Sequence, residues 1–238
     1  LIPNRGPNGE ERHPSPCRWS MEDLEALVTP KTRIVAISHV QFVSGYAADL
    51  KELGEFCRSK GIDLVVDAAQ SLGALPLYPQ RLNIAAVVSS GWKWLLGPFG
   101  ASVMYTSPEF REKLLVTAAG PGNMKQGGDY LNLNYDPVET GQRFEFSALP
   151  FSLAAALATS MEEYFSADKL PIIQDELFGS QDMLLNSLDR DSYSPICFPS
   201  PHRSGILAVK PKKDPRMIVQ KLKENHIICS TCAGLLQI

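Results

Sequence analysis

The sequence predicts an α/β fold: a large domain over residues 1–150 built on a mainly parallel sheet, then a small α+β domain over residues 151–238. Three observations predict it. Short, largely apolar runs at 34–40, 62–66 and 85–88 alternate with helical patterns. Strands apolar on both faces belong to a parallel sheet covered on both sides. From Phe151 onward the texture changes to Ala-, Leu- and Met-rich helical stretches, and 238 residues suffice for one large domain or two modest ones.

Residues 3–16, rich in Pro, Gly and Asn, read as an irregular loop. Ser20 precedes Met21-Glu22-Asp23, an N-cap with acidic first-turn residues, and this helix is expected to stop near Pro30. Ile34 to Val40 is a β-branched strand. A helix then begins near Asp49 with the stripe Leu50, Leu53, Phe56 and Cys57, and Gly61 is placed to end it. Ile62 to Val66 is a second strand ending at Asp67, Ala85 to Val88 a third, and Ser102 to Tyr105 a fourth. The Gly- and Asn-rich stretch 120–141 is a long loop of the kind that is functional or mobile. Helices at 151–165 and near 171–188 follow, the first bridging the two domains. A loop with Pro195, Pro199 and Pro201 comes next, then a strand at Gly205 to Val209, a helix near 215–225 and a strand from Ile227.

The 23 basic and 26 acidic residues give a formal charge of −3 without a basic run, which argues against nucleic acid as a partner. No apolar stretch approaches the roughly 18 residues of a membrane helix, and no signal peptide opens the chain. Five scattered cysteines, an odd number, point to reduced thiols in a cytoplasm. Cys229 and Cys232 form a C-x-x-C, but no second Cys or His pair completes a zinc set, so no metal site is expected.

Ligands of an open parallel sheet bind beyond the carboxyl ends of the strands. Asp67 stands at one such end, where a carboxylate is poorly solvated and wants a cationic partner, unless it only caps the following turn. Lys93 stands in Ser-Gly-Trp-Lys-Trp-Leu-Leu-Gly-Pro at 90–98, directly after another strand. Such apolar company desolvates an amine and frees it for Schiff-base formation. The alternative is a stem packed on Trp with its head in water.

Together these segments resemble a known family. VDAAQSLGALPL at 66–77 and SGWKWLLGP at 90–98 are similar to the core of class V aminotransferases and cysteine desulfurases. So are TRIVAISHVQFVSGYAADL at 32–50, GQRFEF at 141–146, SGILAV at 204–209 and the closing stretch, in the family's order from Trp19 onward. The resemblance implies a three-layer, fold-type I pyridoxal-phosphate enzyme acting on a small amino-acid substrate, as a homodimer with its active site at the subunit boundary. It implies that Lys93 forms the internal aldimine and shuttles the substrate's α-proton. Asp67 would pair with the pyridinium nitrogen, Gln70 with the phenolic oxygen, and Ser90 with the cofactor phosphate. His39, Gln41 and Phe42 fall in a loop that lines the cofactor pocket in that family, where Gln41 either touches the cofactor or packs its own turn.

Departures narrow the reading. Trp92 stands where the family usually has a phosphate-holding His, and Cys232 and Gln237 stand where arginines for the substrate carboxylate are expected. Gln41-Phe42 replaces an Asn-containing segment of the desulfurases, which favours aminotransferase, lyase or epimerase chemistry. The alternatives are a desulfurase-like activity, or a non-catalytic relative kept as a binding or dimerisation protein. The family's glycine-containing phosphate cup and ring-stacking aromatic lie upstream of the segments matched here. The sheet is therefore expected to be incomplete at its amino-terminal side, and a version extended there is expected to bind pyridoxal phosphate more tightly.

Overall fold

A computed structural model describes residues 2, 18–166 and 168–238. The expected irregular loop at 3–16 and Cys17 lie outside the described residues. The first helix, α1 (Met21–Glu25), starts at a capping box. Ser20 Oγ accepts from Asp23 N at 3.4 Å, and the Asp23 carboxylate accepts from Ser20 N at 3.1 Å. It ends earlier than the expected Pro30, in a turn where Thr32 Oγ1 accepts from Thr29 N at 3.0 Å. Strand β1 (Ile34–Ser38) is two residues shorter than expected, because Val40 forms a bridge to Ala47 instead.

Helix α2 (Leu50–Lys60) forms where its caps dictate. Asp49 Oδ1 accepts from Lys51 N and Glu52 N, and Gly61 closes the helix in the left-handed region at φ 66°. Its stripe of Leu50, Leu53, Gly54 and Cys57 is buried. Leu53 and Cys57 pack with Val35, Leu64, Val66 and Val87 of the sheet in one core. Each such leucine contributes about 1.5–3 kcal/mol by leaving water.

Strands β2 (Asp63–Asp67), β3 (Ala86–Ser90) and β4 (Ser102–Thr106) complete a sheet in the order β1-β2-β3-β4. The first three strands are parallel, while β4 runs antiparallel to β3. The link from Ser90 to Ser102 explains the reversal, since a parallel crossover needs about a dozen residues and usually a helix, and this link is only turns. One face packs under α2. On the other, Phe110 packs with Ala86 and Val65, while Ile34, Val88 and Met104 are exposed among the described residues.

A short helix that the sequence reading lacked, α3 (Pro108–Lys113), follows β4, with Ser107 Oγ accepting from Phe110 N at 3.1 Å. The 120–141 loop ends in a 3-10 turn at Gly141–Phe144. Helices α4 (Phe151–Tyr164) and α5 (Lys169–Ser187) then lead into a second, wholly antiparallel sheet. Its strands are β5 (Tyr193–Ile196), β6 (Ala208–Pro211), β7 (Ser230–Cys232) and β8 (Leu235–Gln237), with helix α6 (Pro215–Glu224) between β6 and β7. Strand β5 takes Pro195 out of the expected proline loop, while Pro199 and Pro201 stay outside any strand or helix. It lies at the edge of the order β5-β6-β8-β7, where a residue without an N–H is tolerated. Among the described residues, no helix is long and apolar enough to cross a membrane.

Candidate active site

The parallel strands bring Asp67 and Ser90 to one face. Asp67 is in register with Ser38 on one side and Val88 on the other, and Ser90 is two residues beyond Val88. Side chains two apart on a strand share a face, so the carboxylate and the hydroxyl project together at the carboxyl ends, on the face away from α2. The expectation that Asp67 is poorly solvated is corrected: it is exposed, its Oδ1 accepts from Ala69 N at 2.9 Å, and among the described residues it pairs with no cation. The oxygen of Ser90 is buried without a hydrogen-bond partner.

Two turns carry the other candidates. The turn after β2 holds Gln70 and is closed by Ser71 N and Leu72 N donating to Ala68 O at 2.9 Å each. The turn after β3 holds Lys93 and is closed by Leu96 N donating to Lys93 O at 3.0 Å and Gly97 N to Gly91 O at 2.8 Å. The turns touch at Gly73, whose φ is 102° and where a Cβ would lie 2.5 Å from Trp94 O. Only a glycine permits that approach. Behind the lysine turn stands α4. Leu157 packs against Gly91 and Gly97, and Ser160 Oγ donates to Leu95 O at 2.7 Å.

Lys93 is half-buried, not enclosed as its neighbours implied, and its ammonium lies 5.3 Å from the Trp92 ring centroid. Trp92 in turn stacks on Phe99 with centroids 4.8 Å apart. The aromatic pair gives the amine a cation–π partner worth about 0.5–1 kcal/mol at an exposed site. Gln41 uses its Oε1 within its own turn, accepting from Val43 N at 2.7 Å and Ser44 N at 2.8 Å. Among the described residues, Gln70 has no side-chain partner. A cavity of about 250 Å³ lined by Pro121, Met124, Tyr130 and Tyr135 belongs to the 120–141 loop, and none of the candidate residues lines it.

Polar groups beneath the turns hold the strand ends together. His39 is 7% exposed, and its Nδ1 lies 2.8 Å from Ser71 Oγ. Ser71 Oγ donates to Ala68 O at 3.3 Å, and Ser89 Oγ donates to the same carbonyl at 3.3 Å. Burial alone pushes the His39 pKa down to about 4. Between about pH 6.5 and about pH 4 the unfolded chain therefore binds a proton that the folded chain does not. His39's contribution is complete above about pH 6.5 and is lost as pH falls toward 4, by about 3 kcal/mol over the whole window. Urea denaturation at neutral and acid pH is expected to show this loss, and His39→Asn, which does not ionise, is expected to flatten it. An equal pH slope in both proteins would reject the assignment.

Residues 15–234 match the family described as Aminotransferase class-V. The chain belongs to that family. A cysteine desulfurase IscS from Shewanella putrefaciens is 39% identical over 103 residues, covering 43% of this chain and 25% of the relative. Among solved structures, C-DES, a mutant with glycine covalently linked to its PLP cofactor, is similar with TM-score 0.82. Its identity is 24%, over 92% of this chain and 58% of that one. The alanine–glyoxylate aminotransferase from Nostoc sp. gives TM-score 0.70 and 22% identity, over 92% of this chain and 59% of that one. These likenesses show the fold-type I architecture, with a mainly parallel sheet. The chain spans about a quarter of the length of the curated relatives it matches, and between half and three-fifths of the matched structures.

Within this class-V chain, three positions important to the site carry no local signal. Ser71 and Ser89 read as ordinary small residues, and Leu157 as one of many leucines on an apolar helix. Gln237, at a position where an arginine was expected, donates instead from Nε2 to Phe42 O at 2.6 Å, tying the end of β8 to the Gln41 loop. Cys232 is half-buried in β7. Among the described residues, no group of three or more His, Cys, Asp or Glu side chains could hold a metal.

Proposed function

We propose that this protein is a pyridoxal-phosphate enzyme of the class V aminotransferase type, acting on a small amino-acid substrate. The observation that carries the reading is the unpartnered, buried Ser90 oxygen on the same face and at the same strand ends as Asp67. A buried polar atom without a partner calls for an explanation, and a phosphate oxygen supplies one. Gln70, also unpartnered, and Lys93 in the adjoining turn add an amide and an amine of the kinds that the cofactor's phenolic oxygen and aldehyde require. When bound, pyridoxal phosphate supplies an electron sink for charge at the substrate's α-carbon.

In this reading Lys93 Nζ would hold the cofactor and carry the substrate's α-proton, Asp67 would keep a proton on the ring nitrogen, Gln70 would meet the phenolic oxygen, and Ser90 would anchor the phosphate. Gln41 shapes the loop bordering the site, and its Nε2 would meet the cofactor. We further take the chain as two domains, 1–150 and 151–238, in a cytoplasmic homodimer. An absorbance spectrum of the protein mixed with pyridoxal phosphate tests the reading: a visible band that borohydride abolishes is expected, and its absence would overturn the assignment.

Asp67→Asn is expected to retain part of the cofactor while turnover falls roughly ten- to thousandfold. Losing an opposite charge at close range shifts a pKa by about one to three units. Wild-type turnover in that variant would leave Asp67 only its cap on Ala69.

A second reading, desulfurase-like chemistry on cysteine, is favoured by the names of the matched relatives and opposed by Gln41-Phe42. Incubation with cysteine separates them: sulfur release with matching formation of alanine supports the second, whereas amino-group transfer to a keto acid supports the first. A protein that binds the cofactor and turns over neither substrate class fits a non-catalytic binding or dimerisation role.

A further inference from the structure

We propose that His39 is a positioning residue, which grips the Asp67–Ser71 turn at both ends and so sets the directions of Asp67 and Gln70 toward the cofactor. The inference rests on the reading of this site as a pyridoxal-phosphate site. His39 N donates to Asp67 O at 2.9 Å, at the start of the turn. Its ring Nδ1 meets Ser71 Oγ at 2.8 Å, at the end of the turn. The side chains of Asp67 and Gln70 lie on the residues between these two holds.

The His39–Ser71 link is a single hydrogen bond, whose donor is set by the imidazole tautomer. Ser71 Oγ also stands 3.3 Å from Ala68 O. Ala68 O also receives Ser89 Oγ from β3, so the same carbonyl links the turn to the strand that leads to Ser90 and Lys93. On its other side His39 O accepts from Ala48 N at 2.7 Å, which fastens the imidazole's own loop. His39 thus joins the carboxyl ends of β1 and β2, and Ala68 O joins β2 to β3, beneath the candidate site.

A histidine here differs from a space-filling residue in one respect. An apolar side chain of similar size would fill the volume but leave Ser71 free to turn, releasing the far end of the turn that carries Gln70. Asparagine places an amide, able to donate or accept, close to the position of Nδ1, so it is the conservative replacement.

The test is a titration of the full chain with pyridoxal phosphate, followed by absorbance, for wild type, His39→Leu, Ser71→Ala, the double variant and His39→Asn. Each of His39→Leu and Ser71→Ala is expected to weaken binding about tenfold, the scale of one lost buried hydrogen bond. The double variant is expected to bind no worse than the weaker single, because both remove the same link. The pH at which the bound cofactor's visible band changes is expected to move in both singles and to return toward wild type in His39→Asn.

Melting temperature, read alongside, separates positioning from packing. Variants that melt earlier yet bind and titrate like wild type overturn the proposal and leave His39 a packing residue. If His39→Leu does not fold, Ser71→Ala, which deletes one oxygen, decides the matter by the same two readouts. If wild type itself binds no pyridoxal phosphate, the functional reading fails and takes this inference with it. If wild type binds and the variants are indistinguishable from it, only this inference fails.

Discussion

Lys93→Ala is expected to abolish the borohydride-sensitive band of the protein mixed with pyridoxal phosphate while leaving its circular dichroism unchanged. The turn that carries Lys93 does not depend on the lysine side chain. Leu95 is 2% exposed, Leu157 packs against Gly91 and Gly97, and Ser160 Oγ holds Leu95 O. What the ammonium loses on truncation is its contact with the Trp92 ring, which is small at a half-exposed site. Chemistry loses both the covalent anchor and the proton carrier. A positioned acid–base group contributes about a hundred- to ten-thousandfold, so turnover is expected to fall by at least the lower figure. A variant that keeps the whole band sinks the assignment of Lys93.

Gly45→Ala is expected to destabilise the fold by about 3 kcal/mol or more. Gly45 has φ 76°, a region that costs a residue with a Cβ about 1–2 kcal/mol. The added Cβ would also stand 2.2 Å from Ile206 O, a backbone atom that cannot step aside alone. That junction is where the loop after β1 meets the segment before β6. Ser204 Oγ donates to Gly45 O at 2.6 Å, Ala47 N to His202 O at 3.0 Å, and Tyr46 stacks on His202 with centroids 4.8 Å apart. Displacing it also moves the loop that begins at His39, so cofactor affinity is expected to fall together with stability. Gly61→Ala is the control. Its φ is 66°, but nothing lies within 4 Å of the added Cβ, so only the backbone cost of about 1–2 kcal/mol is expected. Urea denaturation of the two variants distinguishes contact from conformation; equal midpoints would refute the close approach to Ile206.

The amino-acid sequence by itself determined the features that depend on neighbours along the chain. The Ser20–Asp23 box, the Asp49 cap, the Gly61 terminus and the stripe from Leu50 to Cys57 are local chemistry, and the structure has them where the residues put them. The three apolar runs became the three parallel strands, and their ends placed Asp67, Gln70, Ser90 and Lys93 within one stretch of the sheet. Even the reversal of β4 follows from a link too short for a crossover. Tertiary structure decided the rest, because it depends on residues far apart in sequence. Which face meets α2 and which meets Phe110 is set by packing, which apolar composition alone does not report. Strand β5 exists because β6 offers it an edge, despite Pro195. His39 finds Ser71 across 32 residues, Ser160 finds Leu95 across 65, and Gln237 finds Phe42 across 195. No periodicity or motif records such pairs, since a hydrogen bond closed by folding constrains only the two residues it joins.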